Sequence, residues 1–277
     1  MTDSWSSPEW QIRPLIEIAE RSLTVLHLAE LDLQWADPAQ SARSAREWMR
    51  QSGFDAAPVN DNNTYRFIGN EWLVPDERPV REHARPIDSS LLVSADLGLV
   101  DGISRLKRQP YYFVLQGDKL CGIVTRADLQ RPTVNMVLFS LILTSESAIN
   151  VIIPNYLGPS WFGQLPASRQ EKAEMIFSLR VKENTQTTLL ECLMLSDRLH
   201  LLGKCQPVVS ALGFRSKTQF EKWKKQITPV RDNLAHGGTL LHAEPDPVHA
   251  IQLFEGIRSF ARRLWDVTQA DLASAGR

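Results

Sequence analysis

Gly122-Ile123-Val124-Thr125-Arg126-Ala127-Asp128 is the stretch on which the reading of the chain turns. The apolar, β-branched run predicts a strand, and the charged residues after Thr125 predict a helix start. A hydroxyl and a carboxylate then stand three residues apart at a strand-to-helix junction. Helix N-termini favour phosphate, a threonine adds a donor, and an aspartate accepts from ribose hydroxyls. The same residues also fit a plain helix cap, with Thr125 capping and Asp128 complementing the helix dipole. On this stretch alone both readings stand.

Working backwards, residues 111–115 and 120–125 read as two strands joined by a hairpin turn at Gly117-Asp118. Ser94 is predicted to cap a helix reaching about residue 108, with Leu97, Val100, Ile103 and Leu106 on one face. Residues 89–93 read as a short strand. Further back, a helix over 42–52 ends at Gly53. Strands around 57–59 and 65–69 flank the turn-forming Asn60-Asp61-Asn62-Asn63. Helix–strand–turn–strand therefore occurs twice between residues 42 and 125, which is an internal repeat. Residues 73–86 read as a proline-containing linker. Ahead of the repeat, residues 1–8 read as a tail, and Ile12, Leu15, Ile16, Ala19, Leu23 and Leu26 predict a helix over about 9–35.

With both copies in view, residues 37–132 resemble a CBS domain pair, or Bateman module. The first copy contributes Ala45-Arg46-Glu47-Trp48-Met49, Phe54 through Val59, and Arg66-Phe67-Ile68-Gly69. The second contributes Gly102-Ile103-Ser104, Tyr112-Phe113-Val114 and Gly122 through Leu129. The resemblance implies a regulatory adenine nucleotide such as AMP or ATP, with Gly122, Thr125 and Asp128 as ligand-binding residues, Thr125 on phosphate and Asp128 on ribose. Aligned on its glycine at Gly69, the first copy places Trp72 and Pro75 at the hydroxyl and carboxylate positions. One nucleotide site per pair is therefore expected.

After Pro132 the strand pattern stops. Helices are expected at about 133–152, 167–182, 187–203, 205–212, 216–227, 229–236 and 247–272, so residues 133–277 should form a helical bundle. The expected class is α+β, divided as a tail and helix (1–36), the α/β pair (37–132) and the all-α unit (133–277).

Within the bundle, Thr228-Pro229-Val230-Arg231-Asp232-Asn233-Leu234-Ala235-His236-Gly237-Gly238 concentrates chemistry. Thr228 is expected to cap a helix with Pro229 at its first position and Arg231 in its first turn, and Gly237-Gly238 to end it. Arg78/His83 share the arginine–histidine spacing, and Arg21/His27 are one residue wider, so spacing alone decides little. Arg231 differs by its polar neighbour, helical setting and glycine exit. Arg231 through His236 resembles the signature of HEPN domains. The resemblance implies a metal-independent ribonuclease completed across a homodimer, acting on single-stranded RNA. It implies catalytic roles for Arg231 and His236, supported by Asp232 and Asn233. Toxin or phage-defence proteins, some with an antitoxin partner, belong to the same implied setting.

The chemistry stands on its own terms. An attacking 2′-OH cleaves RNA without metal, an imidazole moves protons near neutral pH, and a guanidinium stabilises the phosphorane. Five helical residues rotate by about 140°, so Arg231 and His236 do not share one helix face. Their convergence needs a break at Gly237 or a second subunit. Glu146, on the first bundle helix, is a further candidate polar residue. A non-catalytic reading competes, in which the helical unit serves as a dimerisation, RNA-binding or protein-docking module beneath a nucleotide sensor.

Composition bounds these readings. The chain has 277 residues, 43% hydrophobic, with a formal net charge of −1. A bulk electrostatic nucleic-acid binder is not indicated, so any RNA contact must come from a local patch. Arg215, Lys217, Lys222, Lys224 and Lys225 are one candidate. Cys121, Cys192 and Cys205 lack paired or ligand spacing and read as buried free thiols. His242 and His249 fit no standard metal pattern, so no metal is expected. The polar N-terminus is not expected to be a signal peptide. The apolar run 134–143, broken by Thr144-Ser145-Glu146-Ser147, is expected not to span a bilayer. A cytoplasmic protein is the expectation.

Overall fold

The computed structural model describes residues 22–61 and 64–275, with side chains described as far as residue 271. It is mixed α/β and divides into two compact units, one comprising Glu20–Arg131 and the other holding the chain from Pro132 onward.

In the first unit, α1 (Ala42–Ser52) starts at Ser41, whose side chain accepts from the Ser44 N–H, and stops at Gly53 with φ +69°. Strands β1 (Ala56–Asp61) and β2 (Thr64–Gly69) pair antiparallel. The short α2 (Val80–His83) follows, and β3 (Arg85–Pro86) adds to β2. The second sheet holds β4 (Leu92–Ser94), β5 (Tyr111–Gln116) and β6 (Lys119–Thr125), with α3 (Leu99–Arg105) between β4 and β5. Strand β4 runs parallel to β5, and β5 antiparallel to β6. Phe67 of β2 and Phe113 of β5 join the sheets edge to face, with centroids 5.5 Å apart. Helix α3 begins at Gly98 rather than Ser94, because the Ser94 hydroxyl caps the local turn through the Asp96 N–H and β4 occupies its backbone.

The repeat is more complete than its helix–strand–turn–strand core. Ala36 bridges Val59 in parallel, as β4 pairs with β5. Pro79 bridges Ser41, as Thr24 bridges Gly98. Phe67 pairs with Arg85, as Ile123 pairs with Glu30. The backbone donors match as well. Val80 N–H reaches Gln40 O and Ala42 N–H reaches Arg78 O, both at 2.9 Å, while Val25 N–H reaches Leu97 O at 2.7 Å and Leu99 N–H reaches Leu23 O at 2.9 Å. Residues 23–30 thus stand to the second repeat as residues 78–85 stand to the first.

This corrects the helix expected over 9–35. Residues 9–21 lie outside the described residues. From Leu23 to Trp35, only Val25–His27 is helical, as a single 3-10 turn. Sheet pairing overrides the helical stripe: Glu30 N–H donates to Ile123 O at 2.8 Å and Ile123 N–H returns to Glu30 O at 3.0 Å. Those main-chain groups are then unavailable to a helix. Residues 73–86, expected as linker, likewise supply α2 and β3 to the first repeat.

The second unit is all-helical among its described residues. Helix α4 (Pro132–Leu157) is its central element and packs against α6 (Leu195–Leu202), α8 (Lys217–Ala235) and α10 (Pro247–Ala275). Helix α5 (Ala167–Lys182) matches its predicted bounds, α7 (Gln206–Ala211) is short, and α9 (Leu240–Ala243) is an unpredicted single turn. The helix predicted over 187–203 is reduced to a 3-10 turn at Leu190–Cys192 followed by α6. Thr144-Ser145-Glu146-Ser147 does not end α4: Ser145 donates to Leu141 O at 2.8 Å, within the helix. By length and composition α4 could cross a membrane, with a mean hydropathy of 1.9 over an 18-residue stretch, 61% of which is buried.

Helix α8 also corrects an expectation. It starts at Ser216, runs through Thr228-Pro229, and ends at Ala235. Arg231 is therefore near its C-terminal end, not in a first turn. Pro229 removes one backbone donor, but Phe220, Ile227 and Val230 are buried on both sides of it. Their common burial carries the helix across the proline.

Candidate functional site

Two constellations were expected, one in each unit. In the first unit, β6 ends at Thr125 and a 3-10 turn over Arg126–Gln130 follows. The Thr125 hydroxyl accepts from the Ala127 N–H and donates to Asp128 Oδ2 at 3.1 Å, and Thr125 N–H reaches the same oxygen at 2.7 Å. Asp128 Oδ1 accepts from Arg131 Nε at 2.7 Å, and Arg131 Nη2 reaches Glu30 Oε2 at 2.9 Å. Both carboxylate oxygens of Asp128 are thus occupied, and the residue is buried. Thr125 and Asp128 are brought together as a capping pair locked by Arg131. The Asp32 N–H, and then Arg131, hold the Glu30 carboxyl below its ordinary value. Gly122 sits elsewhere in the arrangement: a Cβ there would lie 2.9 Å from the Glu30 carbonyl, so its missing side chain admits the 22–36 segment.

Strand pairing also corrects the frame used for the first copy. Since Phe67 corresponds to Ile123, Gly69 corresponds to Thr125 and Trp72 to Asp128. Leu73 and Leu129, both in the core, then correspond as well. The glycine match at Gly69 is three residues out of register. The first copy still lacks the hydroxyl and the carboxylate. Their place is taken by an indole lying against Gly69, edge-on to Phe67 at 5.6 Å and stacked by the Arg85 guanidinium at 3.9 Å.

In the helical unit, Glu146 of α4 is a buried carboxylate shared by two arginines. Oε2 accepts from Arg198 Nη1 at 2.7 Å, and Oε1 from Arg231 Nε at 3.3 Å. Arg198, on α6, is buried and also donates to Asn150 Oδ1 and the Leu190 carbonyl. Burial lowers its pKa, against the opposing attraction of Glu146. Arg231 is partly exposed, and its Nη1 reaches Asp232 Oδ1 at 3.3 Å. Glu146 was legible as a candidate; Arg198 was not, because no local pattern marks a partner supplied by another helix.

His236 is the exposed C-cap of α8. Gly238 N–H bonds to Asn233 O at 2.9 Å and Gly237 N–H to Leu234 O at 3.2 Å, the paired bonds of a Schellman ending. Gly237 has φ +79°. Asn233 Nδ2 donates to Thr239 O at 3.0 Å, so this amide ties the exit loop to the helix. Asp232 touches Arg231, and Asn233, in the last turn of α8, holds the exit loop. Among the described residues no hydrogen bond or ion pair joins Arg231 to His236.

The decoys and spare histidines have local roles. Arg78 and His83 both bind Asp76, at 2.8 and 2.9 Å. His27 and His242 each accept from the backbone of a threonine three residues earlier, Thr24 and Thr239. Among the described residues no group of three or more His, Cys, Asp or Glu side chains could hold a metal ion.

No family model matches the sequence, and no curated protein matches it. Among solved structures, the neighbours include CBS-domain proteins, several of which cover about 40% of this chain. CBSX2 in complex with AMP is 23% identical, covering 38% of this chain and 92% of that one, with a TM-score of 0.33. A conserved CBS domain protein of unknown function from Thermoplasma acidophilum is 18% identical, covering 43% and 75%, with a TM-score of 0.33. The CBS domain of a bacterial CNNM/CorC family Mg2+ transporter in complex with ATP is 12% identical, covering 47% and 97%, with a TM-score of 0.34.

Proposed function

We propose that the chain is an adenine-nucleotide-regulated, metal-independent endoribonuclease. Residues 37–132 act as the CBS-type sensor and residues 133–277 as a HEPN-type effector. The observation that carries the effector reading is the seating of Arg231: the buried Glu146 fixes its Nε, while the side chain stays partly exposed. A guanidinium held at Nε by Glu146 and at Nη1 by Asp232 can offer Nη2 to a phosphate without further ordering. His236, exposed at the end of the same helix, moves the protons of 2′-OH attack and leaving-group departure. Arg231 and His236 are not in contact within one chain, so the working site is completed by a second copy. Asp232 adjusts the charge beside Arg231, and Asn233 holds the loop that presents His236.

On the sensor side, the nucleotide class is the one implied by the CBS resemblance. Ribose hydroxyls would displace the Thr125 and Arg131 contacts on Asp128. Arg131 directly precedes α4, the helix that carries Glu146, so chain connectivity offers a route for regulation. Regulation requires that the nucleotide bind the two effector states with different affinity.

A second reading is favoured by a specific observation. Arg231 is paired with Glu146 and Asp232, as a purely structural arginine would be. The helical unit is then a dimerisation or docking module, cytoplasmic like the rest.

The test is incubation of the purified chain with single-stranded RNA in EDTA, with and without AMP or ATP. Cleavage that disappears in both Arg231→Ala and His236→Ala supports the proposal. Cleavage that persists in both, or no cleavage under any condition, rejects the effector reading. Nucleotide binding that survives Asp128→Ala unchanged rejects the sensor site.

A further inference from the structure

The sensor unit carries an arginine-rich surface that neither constellation uses. Arg43, Arg46 and Arg50 of α1 are spaced by three and four residues and so follow one face of the helix. All three line a cleft of about 710 Å³, and Arg46 and Arg50 also line an adjoining one of about 590 Å³. Arg126 lines the second cleft from the opposite repeat.

Four guanidiniums line the clefts and three carboxylates share that lining, which leaves a small excess of positive charge. Arg126 is held by the Leu106 and Lys107 carbonyls at 2.9 and 3.3 Å, which position it without cancelling its charge. Arg46 Nε is shielded from solvent yet has no hydrogen-bond partner. Arg43 pairs with Glu77 at 2.6 Å, with both side chains exposed. Glu47, Asp55 and Glu71 also border the clefts. Glu47 accepts from the neutral Gln51 amide at 2.8 Å and so keeps its charge. Aromatic rings also line the clefts: Trp48 the first, and Trp72 and Tyr111 the second.

We infer that this surface is a groove for single-stranded nucleic acid. Guanidiniums on successive helical turns, separated by about 4.5 and 6 Å along the axis, suit repeated phosphates rather than one phosphate group. The aromatic rings are partly engaged already, Trp72 by Arg85 and Trp48 by Phe54, and bases of any sequence stack on the ring surface that these leave. A mononucleotide fits the surface less well. In the repeat frame, Gly69 and Trp72 stand where the second copy has Thr125 and Asp128, so this side lacks the carboxylate that would read a ribose. The groove stands apart from the ribonuclease proposal, because it binds strands whether or not they are cut.

The experiment uses the full chain and a fluorescein-labelled 2′-O-methyl oligouridine of about twelve nucleotides, which lacks the attacking hydroxyl. Fluorescence polarisation is followed across a salt series. Each phosphate contact in a single strand contributes about 0.7 to the slope of log affinity against log salt. The Arg46→Ala/Arg50→Ala variant should bind at least about tenfold more weakly and lose about 1.4 from that slope. Arg46→Lys/Arg50→Lys should retain most of the slope, which separates lost charge from a lost fold. Trp72→Leu should weaken binding with the slope unchanged. Equal affinity and slope in the wild type and the alanine double variant overturn the inference. So does displacement of the strand by free AMP or ATP with the affinity of the strand itself, which would make the clefts a mononucleotide site.

Discussion

Glu146 Oε1 accepts from Arg231 Nε at 3.3 Å across 85 residues of chain, while Glu146 Oε2 accepts from Arg198 at 2.7 Å. One buried carboxylate therefore serves a buried arginine and a partly exposed one. Their energetic weights differ. Removing Glu146 takes from Arg198 the carboxylate it is bonded to and leaves only the weaker attraction of Glu191, whereas removing Arg231 leaves the Glu146–Arg198 pair intact. Glu146→Ala should cost about 3–5 kcal/mol of stability, and Arg231→Ala about 1 kcal/mol. Urea denaturation checks the order. Equal losses would show that Arg231, not Arg198, is the main partner. A folded Arg231→Ala protein is also what the cleavage assay requires.

Glu30 completes the second repeat through reciprocal backbone bonds to Ile123. Glu30→Pro removes the N–H that reaches Ile123 O, leaving that carbonyl without its partner. The expected loss is about 1–3 kcal/mol. Glu30→Gln keeps the backbone bonds and should lose less. If proline costs no more than glutamine, the segment is not integral to the sheet.

Gly237 adopts φ +79° with open space around it. Gly237→Ala meets no neighbour, so its cost is the left-handed backbone alone, about 1–2 kcal/mol. Gly238→Ala differs, because a Cβ there would lie 2.0 Å from Asn233 Oδ1. It should break the Asn233–Thr239 tie and redirect His236. Under the ribonuclease proposal, Gly238→Ala therefore lowers cleavage more than its loss of stability explains. Cleavage at the wild-type rate in a folded Gly238→Ala protein would remove the loop from the mechanism.

Burial pushes the Cys205 thiol up to about 11. The folded state thus favours the neutral thiol more than the unfolded chain does. The resulting stability is fully present below the ordinary value of 9.0 and is lost as pH rises through about 11. Thermal melts should fall between these limits by more in the wild type than in Cys205→Ala. Identical pH profiles would contradict the shift.

Much of the core of this fold was legible because its determinants are local. Helix 42–52 has a capping serine, an apolar stripe and a terminal glycine, and its bounds match the reading. The hairpin strands follow from alternation and turn residues. Misreadings fell where a distant partner outweighed a local pattern. Leu23 and Leu26 continue a helical stripe, yet Ile123 draws the backbone of Glu30 into a sheet. Thr228-Pro229 reads as a helix start, yet Ile227 and Val230 are buried on one continuous helix.

The sequence by itself determined the two repeats, the change to helices after Pro132, the Thr125/Asp128 pair and the glycine exit beyond His236. Each depends on residues a few positions apart, where backbone preference and side-chain periodicity act directly. Only the tertiary structure decided that residues 23–30 complete the second repeat, that Trp72 rather than Pro75 stands opposite Asp128, and that Arg231 shares Glu146 with Arg198. Those are choices among partners far apart in the chain. They are settled by backbone hydrogen bonds that must all be satisfied together, and by the need of a buried charge for an opposite one.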